Sequence, residues 1–188
     1  MHLHTRSSGR LASAAVTAAA LAALALAAAS SSSAASIPAC TSSGLVAWID
    51  TSGNGAAGSF YYDLEFTNLS GHTCTLSGYP GVSGVDLAGH QLGSAASRNP
   101  TGRVRVITLA SATNVNAPDS WATVVLRITD VGNYPTAMCR PVTAAGLRVY
   151  APGQTTSSVV PFPFRACSRS GASYLSVEAV EKGTMSPQ

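Results

Sequence analysis

The stretch from 59 to 82, SFYYDLEFTNLSGHTCTLSGYPGV, alternates apolar and polar residues and then turns twice within a few positions. The apolar residues of its first half share one parity: Phe60, Tyr62, Leu64 and Phe66. A period of two with one polar side is typical of a strand packed against a core on one side only. The NLSG segment then predicts a turn, and TCTL predicts a short returning strand with Cys74 facing inward.

Similar short runs follow along the chain, separated by glycine- and proline-containing turns. The strands predicted from them cover 45–49, 82–87, 90–92, 103–109, 121–129, 146–153, 159–164 and 174–180. Pro161 and Pro163 cannot donate to a ladder, so 159–164 is predicted at a sheet edge. We therefore predict an all-β fold, an antiparallel immunoglobulin-like β-sandwich of about eight or nine strands with two disulfides.

The first 35 residues have the organisation of a signal peptide. A basic start with Arg6 and Arg10 precedes an uncharged Ala- and Leu-rich run, and small residues follow at Ser33 and Ala35. An uncleaved anchor is the alternative, since the run from 11 to 29 is about as long as a spanning helix requires. We predict 1–35 as the signal peptide and 36–188 as one secreted domain with its core over 38–181 and no membrane-spanning segment.

Charge and composition argue against nucleic acid as a partner. Removing Arg6 and Arg10 from eleven basic residues leaves nine against eight acidic ones, and Lys182 is the only lysine. No basic run remains that could follow a phosphate backbone. We predict no nucleic-acid binding and no cofactor.

All four cysteines fall within the predicted secreted domain, at Cys40, Cys74, Cys139 and Cys167. An even number in an exported chain indicates disulfides, with three possible connectivities. We favour Cys40–Cys74 with Cys139–Cys167, in which neither bridge encloses the other. A zinc site is disfavoured because no C-x-x-C pair occurs. The IPAC segment at 37–40 faintly resembles a lipoprotein cleavage box, but Pro38 fits such a box badly.

Residues typical of catalysis occur without the patterns that catalysis needs. Ser83 lies in GVSGV, where Val85 replaces the second glycine of a nucleophile elbow, and His72 and His90 lie in or beside turns. Asp63 and Glu65 lie about 7 Å apart at Cα on one side of a strand, a separation that suits a glycosidase pair or an ordinary solvated face. We predict no catalytic residue and no metal site.

Residues at outward positions of the predicted strands form a candidate binding surface. Arg103, Arg105, Arg127 and Arg148 are predicted to point outward from strands, where neighbouring arginines would meet an anionic polymer. Trp121 shares the parity of Arg127, and Tyr134 lies in the loop before Cys139, so both are candidate contact aromatics. Trp48 has no clear parity.

The segment from 66 to 82 resembles a family of exported actinobacterial domains known only as a domain of unknown function. The matching positions are Cys40, Phe66, Thr67, Asn68, Cys74, Gly78, Tyr79, Pro80, Gly81, Val82, Cys139, Pro152, Gly153 and Cys167. The likeness spans about 38–181 and implies a β-sandwich on a secreted protein or lipoprotein. It implies that Gly78–Gly81 is a structural turn that supports Cys74, with Tyr79 packed nearby, and it attaches no activity.

Together these patterns predict a non-catalytic binding module at or beyond the bacterial cell envelope. Its partner would be an envelope polymer or an extracellular protein. One alternative is a hydrolase of envelope polymer that uses Asp63 and Glu65. Another is a secreted protease inhibitor, for which 97–103 and 169–173 are the candidate loops.

Overall fold

A computed structural model describes residues 36–112, 117 and 119–183. The predicted signal peptide, 1–35, lies outside the described residues. The strands are β1 Leu45–Ala56, β2 Ser59–Asn68, β3 Cys74–Leu76, β4 Gly81–Val85, β5 Gln91–Leu92, β6 Ser97–Arg98, β7 Ile107–Leu109, β8 Trp121–Thr129, β9 Pro141–Tyr150, β10 Ser157–Cys167, β11 Leu175–Val177 and β12 Glu181–Lys182. One short helix, α1, covers Thr136–Cys139, and 3-10 turns cover Ser42–Gly44 and Val131–Asn133.

The strands form two main sheets and one small one. The larger sheet has the order β1-β2-β8-β11-β6, with β12 also paired to β8, and the smaller has the order β10-β9-β4-β5. A third pair joins β3 to β7. The prediction of an all-β sandwich with two disulfides is confirmed. Pairing is antiparallel except between β6 and β11, which run parallel, and the additional strands are only two or three residues long.

The inner faces of the two main sheets pack together through aliphatic side chains. Leu64 and Leu126 of the larger sheet and Leu147 and Val149 of the smaller one are almost completely buried. The disulfides are Cys40–Cys74 and Cys139–Cys167, the pairs favoured from the sequence, and all four cysteines are buried. Each bridge therefore ties a loop segment to this core.

The chain between β2 and β3 is organised by one buried amide. The Nδ2 group of Asn68 donates to the carbonyl oxygens of His72 (2.9 Å), Leu109 (3.2 Å) and Ala110 (3.1 Å). Its Oδ1 accepts from the backbone N–H (3.0 Å) and hydroxyl (2.7 Å) of Ser70. One fully buried side chain thus holds the end of β2, the following turn and the end of β7 together. The polar residues around Cys74 serve the scaffold.

Strand β10 forms an edge of its sheet, as its two prolines predict. Its register against β9 shifts between Pro161 and Phe164, which is a β-bulge. Gly146 of β9 lies against this bulge, so close that a Cβ atom there would collide with the carbonyl oxygen of Val160. The bulge therefore depends on a residue without a side chain in the neighbouring strand.

The prediction of a strand over 103–109 is wrong in its first half. Strand β7 begins at Ile107, and Val104 and Val106 are exposed although their parity predicted burial. The reason is the partner strand, because β7 pairs only with β3, which ends at Leu76 opposite Ile107. Beyond that point the partner chain leaves through Gly78, whose φ is +101°. Residues 103–106 have no neighbouring strand.

Candidate functional site

The outer face of the larger sheet gathers aromatic and acidic side chains in register. Trp48 of β1 lies opposite Glu65 of β2, and the next pair along is Asp50 opposite Asp63. Tyr61 follows two residues from Asp63, on the same side of β2. We call the surface formed by Trp48, Asp50, Tyr61, Asp63 and Glu65 the carboxylate face.

Strand β8 extends this face on its other side. It places Thr123 opposite Glu65, Val125 opposite Asp63 and Arg127 opposite Tyr61. Glu181 of β12 continues the first of these rows beyond Thr123. The carboxyl groups of Asp50, Asp63, Glu65 and Glu181 therefore share one face, with Arg127 at its end.

The indole of Trp48 is exposed and yet held in place. Its side chain is 38% exposed, and its Nε1–H donates to the hydroxyl of Thr67 at 3.1 Å. Thr67 is itself buried in β2, so the ring is anchored on the sheet. An aromatic ring with few remaining conformations loses little entropy when a ligand contacts it.

Proximity and burial perturb the carboxyl groups of the face. Burial raises the pKa of Glu65 to about 7, and the charges of Asp50 and Asp63 add to the effect. Burial and the charge of Asp50 also raise the pKa of Asp63. The pKa of Asp50 is lowered, because its carboxylate accepts from the backbone N–H of Ser52 at 2.8 Å. Near neutral pH, Glu65 can therefore either accept or donate a hydrogen bond.

A shallow open depression of about 380 Å³ adjoins these carboxyls. Asp50, Asp63, Tyr61 and Val125 line it together with the β1 segment Ser52–Asn54, while Glu65 lies outside it. Asp63 and Glu65 thus share an open sheet face and do not line a common cleft. This geometry suits contact with an extended surface better than enclosure of one scissile bond.

The predicted arginine row is not formed. Arg127 lies on the larger sheet, at the end of the carboxylate face, and Arg148 lies on β9 of the smaller one, where it donates to the carbonyl oxygen of Gly89. Arg103 and Arg105 are exposed but lie in the unpaired segment before β7. The prediction that they project from a common strand face is therefore wrong, because β3 is too short to continue β7.

The two aromatic residues predicted for the binding surface are engaged in packing. Trp121 is only 8% exposed, since Gly183, which follows β12, lies directly against its indole. Tyr134 is half-buried, and its hydroxyl donates to the carbonyl oxygen of Ser173 at 2.8 Å. Trp121 therefore offers almost no surface for a ligand, the role of Tyr134 stays a prediction, and the exposed tryptophan is Trp48.

The turn Gly78–Gly81 connects β3 to β4 and touches distant parts of the fold. The carbonyl oxygen of Gly78 accepts from the N–H of Val180 at 2.8 Å. Pro80 is buried, and the ring of Tyr79 lies under the guanidinium of Arg98 at 5.6 Å. These contacts tie the chain just after Cys74 to the segments around β6 and β11.

Neither candidate inhibitor loop stands free of the fold. In 97–103, β6 pairs with β11, and Asn99 and Thr101 donate to the carboxylate of Glu178. In 169–173, Ala172 is buried and the N–H of Gly171 donates to the hydroxyl of Ser94. Both loops are hydrogen-bonded to other parts of the protein, so several of their polar groups already have partners.

The residues considered for catalysis and metal binding are dispersed. Ser83 is buried within β4, and no hydrogen bond links it to His72 or His90 in the described part of the chain. His90 instead lies beside Asp86, with its Nδ1 3.2 Å from a carboxylate oxygen. Within 36–112, 117 and 119–183, no three His, Cys, Asp or Glu side chains are grouped to hold a metal ion. No helix in these ranges has the length and apolar character to cross a membrane.

Comparison with known proteins gives one match. Residues 40–181 match the family described as Domain of unknown function (DUF4232), so the chain belongs to that family. The match begins at Cys40 of the first disulfide and ends in β12, and thus includes both disulfides and the carboxylate face. No curated protein and no solved structure matches the chain significantly.

Proposed function

We propose that this protein is a non-catalytic binding module that acts outside the cytoplasm and contacts a glycan of the bacterial envelope through its carboxylate face. The observation that carries the proposal is Trp48, an exposed indole fixed by its bond to Thr67 and flanked by carboxyl groups. Two disulfides are compatible with an oxidising location. Export itself stays a prediction from the sequence.

The chemistry of the face favours a neutral polyhydroxylated ligand. An aromatic ring offers a flat apolar surface for the C–H side of a sugar ring. Carboxylates accept hydrogen bonds from sugar hydroxyls, and charged acceptors form stronger hydrogen bonds than neutral ones. Asp50, Asp63, Glu65 and Glu181 would repel an anionic polymer, so the neutral backbone of an envelope glycan is the better candidate than its anionic substituents.

Co-sedimentation of the purified, oxidised protein with insoluble glycans tests the proposal. The probes are purified bacterial cell-wall sacculi and chitin, each assayed at low salt and at 1 M NaCl. We expect retention on a glycan to persist at high salt, because stacking and short-range hydrogen bonds are screened far less than charge attraction across the surface. Retention that disappears at high salt would contradict the proposal.

Two variants locate the contact. Trp48→Ala should weaken retention at least about tenfold, since buried tryptophans carry a large share of binding energy in interfaces. Leu87→Ala is the matched control, because Leu87 is 98% exposed but lies in the turn after β4 of the other sheet. Equal losses in both variants, or none in Trp48→Ala, would reject the carboxylate face as the contact surface.

One observation favours the hydrolase alternative, namely the raised pKa of Glu65, which suits a general acid. The same sacculi provide the test. Soluble sugar released by the wild type and abolished in Glu65→Gln would replace the binding proposal with a hydrolase. Unchanged sacculi in the presence of retained protein would support the binding module.

A further inference from the structure

A second concave site lies where the two sheets separate near the start of β2. It has a volume of about 430 Å³, within the range of pockets that hold small molecules. Four aromatic residues line it, Phe60 and Tyr62 from β2 and Phe162 and Phe164 from β10. We call it the aromatic cleft, and it opens on the core side of the larger sheet, opposite to the carboxylate face.

Exposure of Phe60 distinguishes this cleft from ordinary packing. Phe60 has the core-facing parity of Leu64 and Phe66, yet it is 47% exposed. A ring on the inner side of a sandwich is normally covered, since each buried large apolar side chain contributes about 1.5–3 kcal/mol. The sheets leave this ring open to the cleft, where a ligand would cover it.

Three of the four rings that line the cleft pack against one another. The rings of Tyr62 and Phe162 meet edge to face with centroids 4.9 Å apart, and Phe162 stacks on Phe164 at 5.9 Å. The series continues to Tyr174 at 6.4 Å, whose buried hydroxyl donates to the carbonyl oxygen of Leu92 at 2.9 Å. A ligand would therefore meet rings that already support one another.

Charged residues at the rim of the cleft indicate the sign of the charge that a ligand would carry. Asp130 lines the cleft, is exposed, and uses Oδ1 to accept from the N–H of Gly132 at 2.8 Å. Arg165 also lines it, but its guanidinium is directed to the hydroxyl of Thr143 at 3.5 Å. Among the described residues, the one cation–π pair is Arg98 with Tyr79, so no arginine or lysine of these ranges occupies the faces of the cleft rings.

We propose that the aromatic cleft binds a small organic cation, an ammonium group that carries apolar substituents. The faces of aromatic rings carry partial negative charge and attract cations, most strongly where water is excluded. The carboxylate of Asp130 adds attraction at the mouth, and the rings of Phe60 and Phe164 cover the alkyl substituents. This site is independent of the proposed glycan contact.

Calorimetric titration at physiological salt with three probes that share a six-carbon chain tests the sign of the ligand's charge. Hexyltrimethylammonium should bind at least about tenfold more tightly than hexanol, and hexanoate should bind more weakly than either. Equal affinity for all three probes would show an apolar pocket without selectivity for cations. Tighter binding of hexanoate would show that the cleft selects anions. Either result, or absence of binding, overturns the proposal.

Variants of residues that line the cleft test whether the probes bind there. Phe60→Ala should weaken binding of both the ammonium probe and hexanol. Asp130→Asn keeps an acceptor for the N–H of Gly132, so it should weaken the ammonium probe several-fold and leave hexanol unchanged. Trp48→Ala is the control for attraction to the carboxylate face and should have no effect. If Trp48→Ala weakens the ammonium probe and Phe60→Ala does not, the cation binds elsewhere and the proposal fails.

Discussion

Replacing Glu65 with glutamine should make the protein more stable at alkaline pH and reduce the loss of stability between pH 4.5 and 7. The carboxyl is half-buried beside Asp50 and Asp63, and burial raises its pKa from an ordinary 4.5 to about 7. The folded state therefore binds a proton more tightly than the unfolded state. Because the pKa is higher in the folded state, the contribution of Glu65 to stability is most favourable below pH 4.5. This contribution is lost as the pH rises to 7.

The magnitude follows from the same pKa difference. At about 1.4 kcal/mol per pH unit, a completely buried carboxyl with this difference would cost about 3.5 kcal/mol at high pH. Solvent reaches much of Glu65 and screens its charge, so we expect about 1–2 kcal/mol. Glutamine keeps the shape and removes the charge, so Glu65→Gln should gain about that amount at pH 8.

Urea unfolding at pH 5 and pH 8 measures this difference directly. Glu181→Gln is the matched control, because it removes an exposed charge from the same row of the face and leaves Glu65 intact. It should keep the wild-type dependence on pH. A Glu65→Gln protein whose stability at pH 8 is equal to or below that of the wild type would refute the inferred burial and repulsion.

Three changes to the scaffold should destabilise it by different mechanisms. Asn68→Ala leaves three carbonyl oxygens and the groups of the following turn without their partner, and should cost about 2–4 kcal/mol in urea unfolding; a cost below about 1 kcal/mol would contradict its role. Gly146→Ala should lower the free energy of unfolding by about 2–4 kcal/mol, because its Cβ collides with β10. The control is Gly55→Ala, whose Cβ would lie 3.7 Å from the nearest ring and which should lower it by under about 1 kcal/mol. Equal losses in the two variants would contradict the collision. Replacing Cys139 and Cys167 together by alanine opens a bridge with a sequence separation of 28 and should lower stability by about 3–4 kcal/mol; an unchanged thermal midpoint would contradict this estimate.

The fold class follows from local pattern, because alternation and turn residues act over a few positions. Leu64 and Phe66 are buried as their parity predicts, and Pro161 and Pro163 lie in an edge strand. Phe60 has the same parity and is nevertheless exposed. Its exposure depends on where the opposite sheet separates, and nothing in the sequence around Phe60 reports that.

The candidate site was only partly predictable for a related reason. Asp63 and Glu65 were identified as outward neighbours on one strand, but Asp50 and Trp48 join them through the register of β1 against β2. Register between strands depends on bulges and loop lengths, and β1 has an irregularity between Asp50 and Asn54.

Two errors have the same origin in chain segments that are distant in sequence. Trp121 has an outward parity but is covered by Gly183, and Arg103 and Arg105 lie beyond the end of their partner strand. An alternating pattern predicts a strand only where another strand is available to pair with it.

The most direct test of the proposed glycan contact is an amide chemical-shift map during titration with soluble cell-wall oligosaccharide. We predict shifts concentrated at Trp48 and its neighbours on β1, β2 and β8, including the indole N–H that donates to Thr67. Shifts confined to the smaller sheet or to the aromatic cleft, or no shifts at saturating oligosaccharide, would contradict the assignment of the carboxylate face as the binding surface.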